Sequence, residues 1–275
     1  MRNFISLALL GAALVACTSQ PADSNAKTGD TGAGDSGPGP DTGVDTGPSD
    51  DATITGGVIT FDGSTPTGMA VTFCQTACYS GKTTDGGQFA FNEVPPGDYK
   101  LDAIGEGLND DWGHIRVPVH LDAKQMYELP IPLYVPHQPA LQLATYGQHS
   151  SLTFDGVTMH VDGGDFLEEP QADTDDTTVA LSAGLVLHDD IPAFWEVEPS
   201  FAIPLLPFAT EVLGPFDVDV VDAMGDFSGD SFDVYAVGEH GETEGPLGTA
   251  TRDGDTLSVV GIQPAVLTWL LFVPA

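Results

Sequence analysis

The residue types of a serine hydrolase are all present in this sequence. His160, Asp162 and Ser182 could supply a base, an orienting carboxylate and a nucleophile. Such a triad works only when the base lies within hydrogen-bond reach of the nucleophile. His160 and Asp162 share the polar face of one predicted strand, where we expect both to be exposed. Nothing in the sequence places Ser182 beside them, so the pattern does not predict catalysis.

The second set with chemical potential is the pair Cys74 and Cys78, which flanks Gln-Thr-Ala between two predicted strands. A metal site would need two more ligands close by. A redox site would more often have Cys-x-x-Cys at the start of a helix. An even pair in an oxidising compartment instead predicts a disulfide. We therefore predict a short structural bridge that pins this turn.

Acidic loops make calcium the best cofactor candidate, because calcium binds carboxylate and carbonyl oxygens. Asp173, Asp175 and Asp176 form one dense loop, and residues 226–230 form another. Neither fits a calcium-loop motif, since the twelfth position from Asp173 is Gly184 rather than glutamate. The alternative is that both loops are simply solvated. We predict no cofactor, with calcium as the one candidate.

Trp112 is the residue whose context best fits contact with a carbohydrate or protein partner. It stands after two acids in Asp110-Asp111-Trp112-Gly113. A tryptophan in such a loop could be a stacking platform for a sugar, or a plug that closes the end of a β-sandwich. Farther along, His114, Arg116 and His120 alternate with apolar residues, so we expect them to face solvent.

Charge excludes one class of partner. The 275 residues include 7 Lys+Arg and 41 Asp+Glu, which gives a formal net charge of −34. A field of this sign repels nucleic-acid phosphates and anionic membrane surfaces.

No His-Glu-x-x-His, phosphate-loop or Gly-x-Ser-x-Gly motif stands in a suitable context. We predict that the protein binds no nucleic acid and is not an enzyme.

The first residues have the features of a targeting signal. Arg2 precedes an apolar run that ends in Leu14-Val15-Ala16-Cys17, the parts of a secretory signal. The run is too short for a membrane-spanning helix, which needs about 20 residues, and an ordinary secretory signal would not need Cys17. The segment resembles the lipobox of bacterial lipoproteins. That resemblance implies cleavage after residue 16, lipidation of Cys17 and anchoring in the cell envelope; Thr18 at the second mature position implies the outer membrane.

Residues 17–51 are predicted to be a disordered acidic linker. Gly, Pro, Asp, Thr and Ser fill this segment, and Val44 is its only large apolar residue. A segment of this composition cannot bury a core. Proline and charge repulsion extend it, so it would hold the rest of the chain away from the membrane.

Beyond the linker the pattern predicts an all-β chain of two β-sandwich domains, residues 52–138 and 139–275. Short alternating apolar runs are broken by Gly, Pro and Asp. The runs at 127–135 and 179–187 are each predicted to be one strand. Residues 267–273 are apolar on both faces, which predicts a central, buried strand.

Residues 54–105 resemble a carboxypeptidase regulatory-like domain, a transthyretin-like β-sandwich. The resemblance rests on four stretches: Gly57-Val58-Ile59, Asp62-Gly63, residues 84–91 (TDGGQFAF) and residues 94–101 (VPPGDYKL). It implies a non-catalytic module. From the turn residues we expect a hairpin at Asp85-Gly86-Gly87. Four aromatic and aliphatic side chains are expected to point inward from paired strands: Phe89, Phe91, Tyr99 and Leu101.

The second half is similar to the β-sandwich of ankyrins and netrin receptors. The matching stretches are Gly156-Val157, Leu206-Pro207-Phe208, Asp233-Val234-Tyr235 and Trp269. The glycine that follows the proline in that family is absent here. The His-Phe-Ser used for self-cleavage in related proteins is also absent near the C-terminus, so autoproteolysis is not expected.

Three functions remain open. The first is a non-catalytic binding or scaffolding lipoprotein that presents its domains to an envelope protein. The second is a carbohydrate-binding surface lipoprotein, which needs an exposed aromatic residue beside polar groups. The third is an enzyme of another type, which needs a cleft around His160 or His188 with convergent carboxylates. We expect the first.

Overall fold

The computed structural model describes residues 50–105, 107–167, 178–191, 193–222 and 227–275. These residues are almost entirely in strands and connections, and their helical structure consists of three 3-10 turns: Asp85–Gly87, Gly163–Asp165 and His188–Asp190. The all-β prediction is confirmed. No helix within these ranges is long and apolar enough to cross a bilayer. The predicted signal, Cys17 and nearly all of the linker lie outside the described residues.

The N-terminal half consists of two four-stranded sheets with a shared apolar core. One sheet has the order β4-β1-β7, with β8 also paired to β1, and the other has the order β3-β2-β5-β6. Alternate residues of β1 are buried, as expected for a strand that covers a core with one face. The eight strands are β1 Ala52–Thr60, β2 Ala70–Cys74, β3 Cys78–Lys82, β4 Gln88–Val94, β5 Gly97–Ile104, β6 His114–Leu121, β7 Met126–Glu128 and β8 Leu133–Val135.

The alternating run at 127–135 forms two short strands rather than the single strand predicted. Both β7 and β8 pair in parallel with β1, one with its start and one with its end. Pro130 and Pro132 lie between them, and proline has no N–H to donate to a ladder. The alternating run does form β structure at both ends, but the prolines divide it into two strands.

The Asp-Gly-Gly turn does not close a hairpin, which corrects the prediction. It is a 3-10 turn that connects β3 to β4, and these strands belong to different sheets. Gly86 and Gly87 have φ of 76° and 70°, so the positive-φ part of the prediction holds. Likewise β4 and β5 are not paired, because the Pro-Pro-Gly turn carries the chain from one sheet to the other. The four predicted core residues are all buried: Phe89, Phe91, Tyr99 and Leu101.

The C-terminal half is organised by one large antiparallel sheet, with the order β10-β11-β17-β20-β19-β18-β21-β15-β13-β9 and β14 paired to β15; β12 and β16 form a separate ribbon. The sheet curls so that its end strands approach each other, since Gln142 Nε2 of β9 donates to the Thr153 carbonyl of β10 at 2.5 Å. The strands are β9 Gln142–Thr145, β10 His149–Phe154, β11 Val157–Asp162, β12 Phe166–Leu167, β13 Thr178–Ala183, β14 Val186–Leu187, β15 Phe201–Leu206, β16 Glu211–Val212, β17 Phe216–Val221, β18 Ser231–Val237, β19 Thr243–Asp253, β20 Thr256–Ile262 and β21 Trp269–Pro274.

The final strand is central and buried, as predicted. β21 lies between β18 and β15. Leu270 and Phe272 enter the core of the C-terminal half, whereas Trp269 and Leu271 belong to the apolar cluster of the N-terminal half. The strand is apolar on both faces because each face serves a different core. Because of this shared packing, the described residues from 50 onward belong to one compact unit. The predicted boundary at residue 138 stays a prediction.

The run at 179–187 is also interrupted. β13 and β14 are separate strands, and both pair with β15. Between them Gly184 donates its N–H to the Pro204 carbonyl. A Cβ at Gly184 would lie 2.6 Å from the His137 carbonyl oxygen, so the chain needs glycine at this break.

Candidate functional site

The predicted disulfide is present. Cys74 and Cys78 occupy directly opposed positions of β2 and β3, with a Cα–Cα distance of 4.1 Å and a bond between the two sulfur atoms. The bridge closes a loop in which Gln75 and Thr76 are exposed. This loop forms part of the wall of a depression described below.

Trp112 is half-buried and packs against the apolar cluster of the N-terminal half. It forms an isolated bridge with His137, at the connection between the two halves. It lines none of the depressions described below. The calcium candidates Asp173, Asp175 and Asp176 lie outside the described residues. Within the described ranges, no three His, Cys, Asp or Glu side chains converge in a way that could hold a metal ion.

The structure does not assemble His160, Asp162 and Ser182. Ser182 is fully buried and donates to the Pro139 carbonyl at 2.6 Å. His160 instead lies between Ser151 and Asp219 on the neighbouring strands, with Nδ1 2.9 Å from the Ser151 hydroxyl and Nε2 2.9 Å from an Asp219 carboxylate oxygen.

This Ser-His-Asp line crosses an open strand face. Burial alone would raise the pKa of Asp219, but hydrogen bonds with Ser258 and His160 outweigh it and lower that pKa. Ser151 is exposed, and none of the depressions described below is lined by these residues.

Several surface depressions are lined by residues of the segment 188–199, between β14 and β15. Its ends are tied together, since His188 Nδ1 donates to the Pro199 carbonyl at 2.9 Å. Near its middle Trp195 is only 8% exposed and packs against Trp269, with ring centroids 5.3 Å apart. Loops of this length with closed ends and their own packed side chains are frequently functional.

Three depressions lie side by side along this segment, and we call them together the 188–199 groove. The first has a volume of about 280 Å³, the middle one about 490 Å³ and the third about 710 Å³. Asp189 and Ile191 line both the first and the middle depression, and Glu196 lines both the middle and the third. The volumes of the middle and third depressions fall in the range of small-molecule sites, about 300–1,000 Å³.

Each depression contains aromatic and polar groups. Phe61 and Tyr134 line the first, Trp195 the middle and Phe194 the third. Burial, with a smaller contribution from the charge of Asp190, raises the pKa of Tyr134 to about 12, so its hydroxyl keeps its proton at neutral pH. Phe61 is 40% exposed, an unusual degree for phenylalanine.

The third depression is formed by residues that are far apart in the sequence. The disulfide loop, β5, β6 and the loop 239–242 all contribute to it. On its rim His120 Nδ1 is 2.6 Å from Asp98 Oδ1. The hydrogen bond with Asp98 and the negative charges of Asp98 and Asp122 raise the pKa of His120 above its usual value.

A buried ion pair holds one wall of this depression. Arg116 donates to both carboxylate oxygens of Asp102, at 2.7 and 2.9 Å, and through Nη1 to the Glu239 carbonyl at 2.9 Å. Its guanidinium carbon also lies 4.8 Å from the centre of the Phe208 ring. One side chain of β6 therefore fixes the loop 239–242 of the C-terminal half.

The prediction that His114 and Arg116 face solvent is wrong. Both are buried, because residues of the C-terminal half cover the outer face of β6. The His114 ring stacks on Phe208 at 3.6 Å, and the His114 carbonyl accepts from Trp269 Nε1 at 2.8 Å. Only His120, farther along β6, is exposed as expected.

Burial alone would raise the pKa of Asp102, whose side chain is 6% exposed. Hydrogen bonds and positive charge from His114 and Arg116 outweigh this effect and hold the pKa well below its usual value. Asp102 therefore remains a carboxylate in the interior. A buried charge must be paired, and Arg116 on the neighbouring strand β6 provides that pairing for Asp102.

Sequence reasoning missed most of the groove. Only His188 was considered, as a centre for an unassigned cleft, and it does line the middle depression beside Glu196 and Glu198. The available signal was the stretch Phe194-Trp195 between acidic residues, a bulky apolar pair in a segment without strand periodicity. A glycosidase would need a general acid, and such acids are usually sequestered in apolar surroundings. Glu196 and Glu198 are exposed, so they do not have that environment.

Comparisons with known proteins assign no family. Neither a family model nor a curated protein sequence matches this chain. Among solved structures, a DUF3823 family protein of Parabacteroides merdae is 11% identical over 62% of this chain and 91% of its own, with a TM-score of 0.25. A candidate carbohydrate-binding protein of Bacteroides uniformis is 9% identical over 76% of this chain and 79% of its own, with a TM-score of 0.25. A DUF3823 family protein of Bacteroides ovatus is 10% identical over 82% of both chains, with a TM-score of 0.24. Similarity at this level supports no shared function.

Proposed function

We propose that this chain is a non-catalytic binding module, displayed from a bacterial envelope membrane, that contacts its ligand along the 188–199 groove. The observation that carries the proposal is the groove itself. Three adjoining depressions share lining residues along one segment, and each places an aromatic side chain beside polar groups. Concave surfaces with this mixture are where proteins usually hold ligands.

The proposed anchor rests on the N-terminal sequence. A lipobox-like stretch that ends at Cys17 would place lipid on that cysteine, and the acidic linker after it would separate the binding module from the membrane. The lipid chains would insert by burying methylene groups, and more than one chain makes such anchoring durable. By the same sequence resemblance, the outer membrane is the proposed location.

The N-terminal half is proposed to be a carboxypeptidase regulatory-like domain. Its two packed four-stranded sheets support this, as do the buried Phe89 and Tyr99 in the matching stretches. Modules of that family usually support or attach other domains. Here β5 and β6 would form one wall of the groove, which gives the N-terminal half a direct part in binding.

The test is a binding screen of the purified full chain on glycan and peptide arrays, repeated with two variants. Phe194→Ala/Glu196→Ala removes an aromatic and a polar group of the groove. Met126→Ala/Glu128→Ala changes two exposed residues of β7 and is the matched control. We expect ligands retained by wild type and control to be lost by the groove variant. Ligands that all three proteins retain equally would contradict the groove as the binding site.

A hydrolase is the second candidate, because Ser151, His160 and Asp219 form a hydrogen-bonded line. With Nε2 protonated, the imidazole donates to Asp219 and its Nδ1 accepts from the serine hydroxyl, which is the proton arrangement that a nucleophile needs. The open strand face provides no visible substrate pocket. Labelling of Ser151 by a fluorophosphonate would favour this candidate over the binding module.

A further inference from the structure

We propose that the 188–199 groove binds an extended basic peptide, a segment of an envelope protein in which lysine or arginine side chains recur. This inference rests on the proposed function, since it names the ligand class of the same groove. It commits to a protein partner, the first of the three functions that the sequence left open, rather than to the carbohydrate considered for Trp112.

The groove is lined by more negative than positive charge. Among the described residues that line it, Lys100 is the one lysine or arginine. Its Nζ lies 3.8 Å from Glu239 Oε1, so a carboxylate outside the lining set already offsets that charge. Six carboxylates line the three depressions: Asp98, Asp189, Asp190, Glu196, Glu198 and Glu242. A ligand that fills the groove therefore meets negative charge along its whole length.

Four of these carboxylates are not neutralised within the described part of the chain. Asp98 pairs with His120, and Glu242 accepts from the backbone N–H of His240 at 2.9 Å. The other four form no ion pair with another described residue and are all exposed: Asp189, Asp190, Glu196 and Glu198. Exposed carboxylates are acceptors only, and the strongest hydrogen bonds they accept come from ammonium and guanidinium groups. A basic side chain would supply such a donor, whereas a neutral sugar would leave the charges uncompensated.

Aromatic rings beside these carboxylates distinguish the groove from a solvated acidic face. Phe61, which is 40% exposed, lines the first depression together with Asp190. Phe194 lines the third depression together with Glu196. Lysine and arginine lay their apolar stems along such surfaces while the charged head stays in water or reaches a carboxylate, and a cation over a ring face is itself attracted. Each end of the groove therefore offers both of the surfaces that a basic side chain uses.

The length of the groove favours a peptide over a small amine. Carboxylates and rings recur from the first depression to the third, and adjoining depressions share lining residues. In an extended peptide the side chains of one face recur about every 6.6 Å, so successive basic residues can enter successive depressions. A small amine would occupy one depression only. The net charge of −34 would also attract a basic segment from a distance and raise the rate of encounter.

The test is binding of the full chain to a random octapeptide array, followed by isothermal titration with the most strongly retained octapeptide, with spermine and with cellohexaose. We expect the retained peptides to be enriched in lysine and arginine and depleted in aspartate and glutamate. Glu196→Gln/Glu198→Gln removes two charges at exposed positions and keeps the side-chain shape. It should weaken binding of the octapeptide by about three- to tenfold, the effect of losing two exposed ion pairs.

Asp110→Asn/Asp111→Asn is the matched control, because it makes the same change in net charge at two exposed residues beside Trp112. It should bind the octapeptide like wild type. Equal weakening by both variants would indicate general attraction by charge and overturn the inference. Cellohexaose binding that the groove variant loses, or spermine binding there as tight as that of the octapeptide, would overturn the peptide assignment and leave the proposed function standing. If no octapeptide and neither small ligand responds to the groove variant, both the inference and the proposed function fail.

Discussion

The buried pair of Arg116 and Asp102 gives the sharpest stability prediction. Arg116→Met preserves most of the apolar stem and removes the guanidinium. The change deletes two hydrogen bonds to Asp102 and one to the Glu239 carbonyl, and leaves the Asp102 carboxylate buried. Removing one partner of a buried pair costs about 3–5 kcal/mol of unfolding free energy. For a chain of this size that corresponds to a fall in Tm of about 6–20 °C.

The assay is urea and thermal unfolding followed by tryptophan fluorescence, with two controls. Lys100→Met breaks a longer, more exposed contact with Glu239, 3.8 Å between charged atoms, and should cost less than about 1 kcal/mol. Asp102→Leu/Arg116→Met replaces both charges with apolar groups and should recover most of the loss. An Arg116→Met variant no less stable than Lys100→Met would refute the reasoning. So would an Asp102→Leu/Arg116→Met variant as unstable as Arg116→Met.

The same pair predicts a pH dependence with a definite sign. The pKa of Asp102 is lower in the folded chain than in the unfolded chain, where aspartate has a pKa of about 3.9. The pair therefore contributes its full stability above that pH and loses it as the pH falls further, toward the folded pKa. The stability difference between wild type and Arg116→Met should shrink below about pH 4. A difference that grows on acidification would contradict the assignment of a buried carboxylate.

Three further predictions address the anchor, the disulfide and catalysis. Cys17→Ala should move the protein from the membrane to the soluble fraction of its bacterial host, and unchanged partition would rule out the lipid anchor. Cys74→Ser/Cys78→Ser should lower the unfolding free energy by about 2 kcal/mol, the value for a loop with a sequence separation of 4, and two free thiols in the oxidised wild-type protein would contradict the bridge. A fluorophosphonate probe should label wild type no more than Ser151→Ala, because the hydroxyl lies on an open strand face; selective labelling of wild type would favour the hydrolase.

Much of the fold could be predicted from the alternation of apolar and polar residues alone. β17 and β18 bury every second residue as the pattern indicates, and β21 was recognised as central because it is apolar on both faces. The ends of strands could be predicted less well, because they depend on local backbone chemistry. Pro130 removes a ladder donor, and Gly184 avoids a clash with a distant carbonyl.

Most of the candidate site could not be predicted from the sequence, for a different reason. Alternation indicates which side of a strand a residue occupies, but not what covers that side. Arg116 was assigned to solvent, although Phe208 and the Glu239 carbonyl from the other half of the chain cover it. The segment 188–199 has no strand periodicity, and the groove brings it beside residues as distant in sequence as Gln75 and Glu242.

Hydrogen–deuterium exchange of the full chain, with and without a ligand found in the array screen, tests the groove most directly. We predict that bound ligand slows exchange in segment 188–199, in the disulfide loop and in the loop 239–242, and leaves Trp112 and the strands around His160 unchanged. Protection confined to Trp112 or to the His160 face, with none in segment 188–199, would contradict the groove as the binding site.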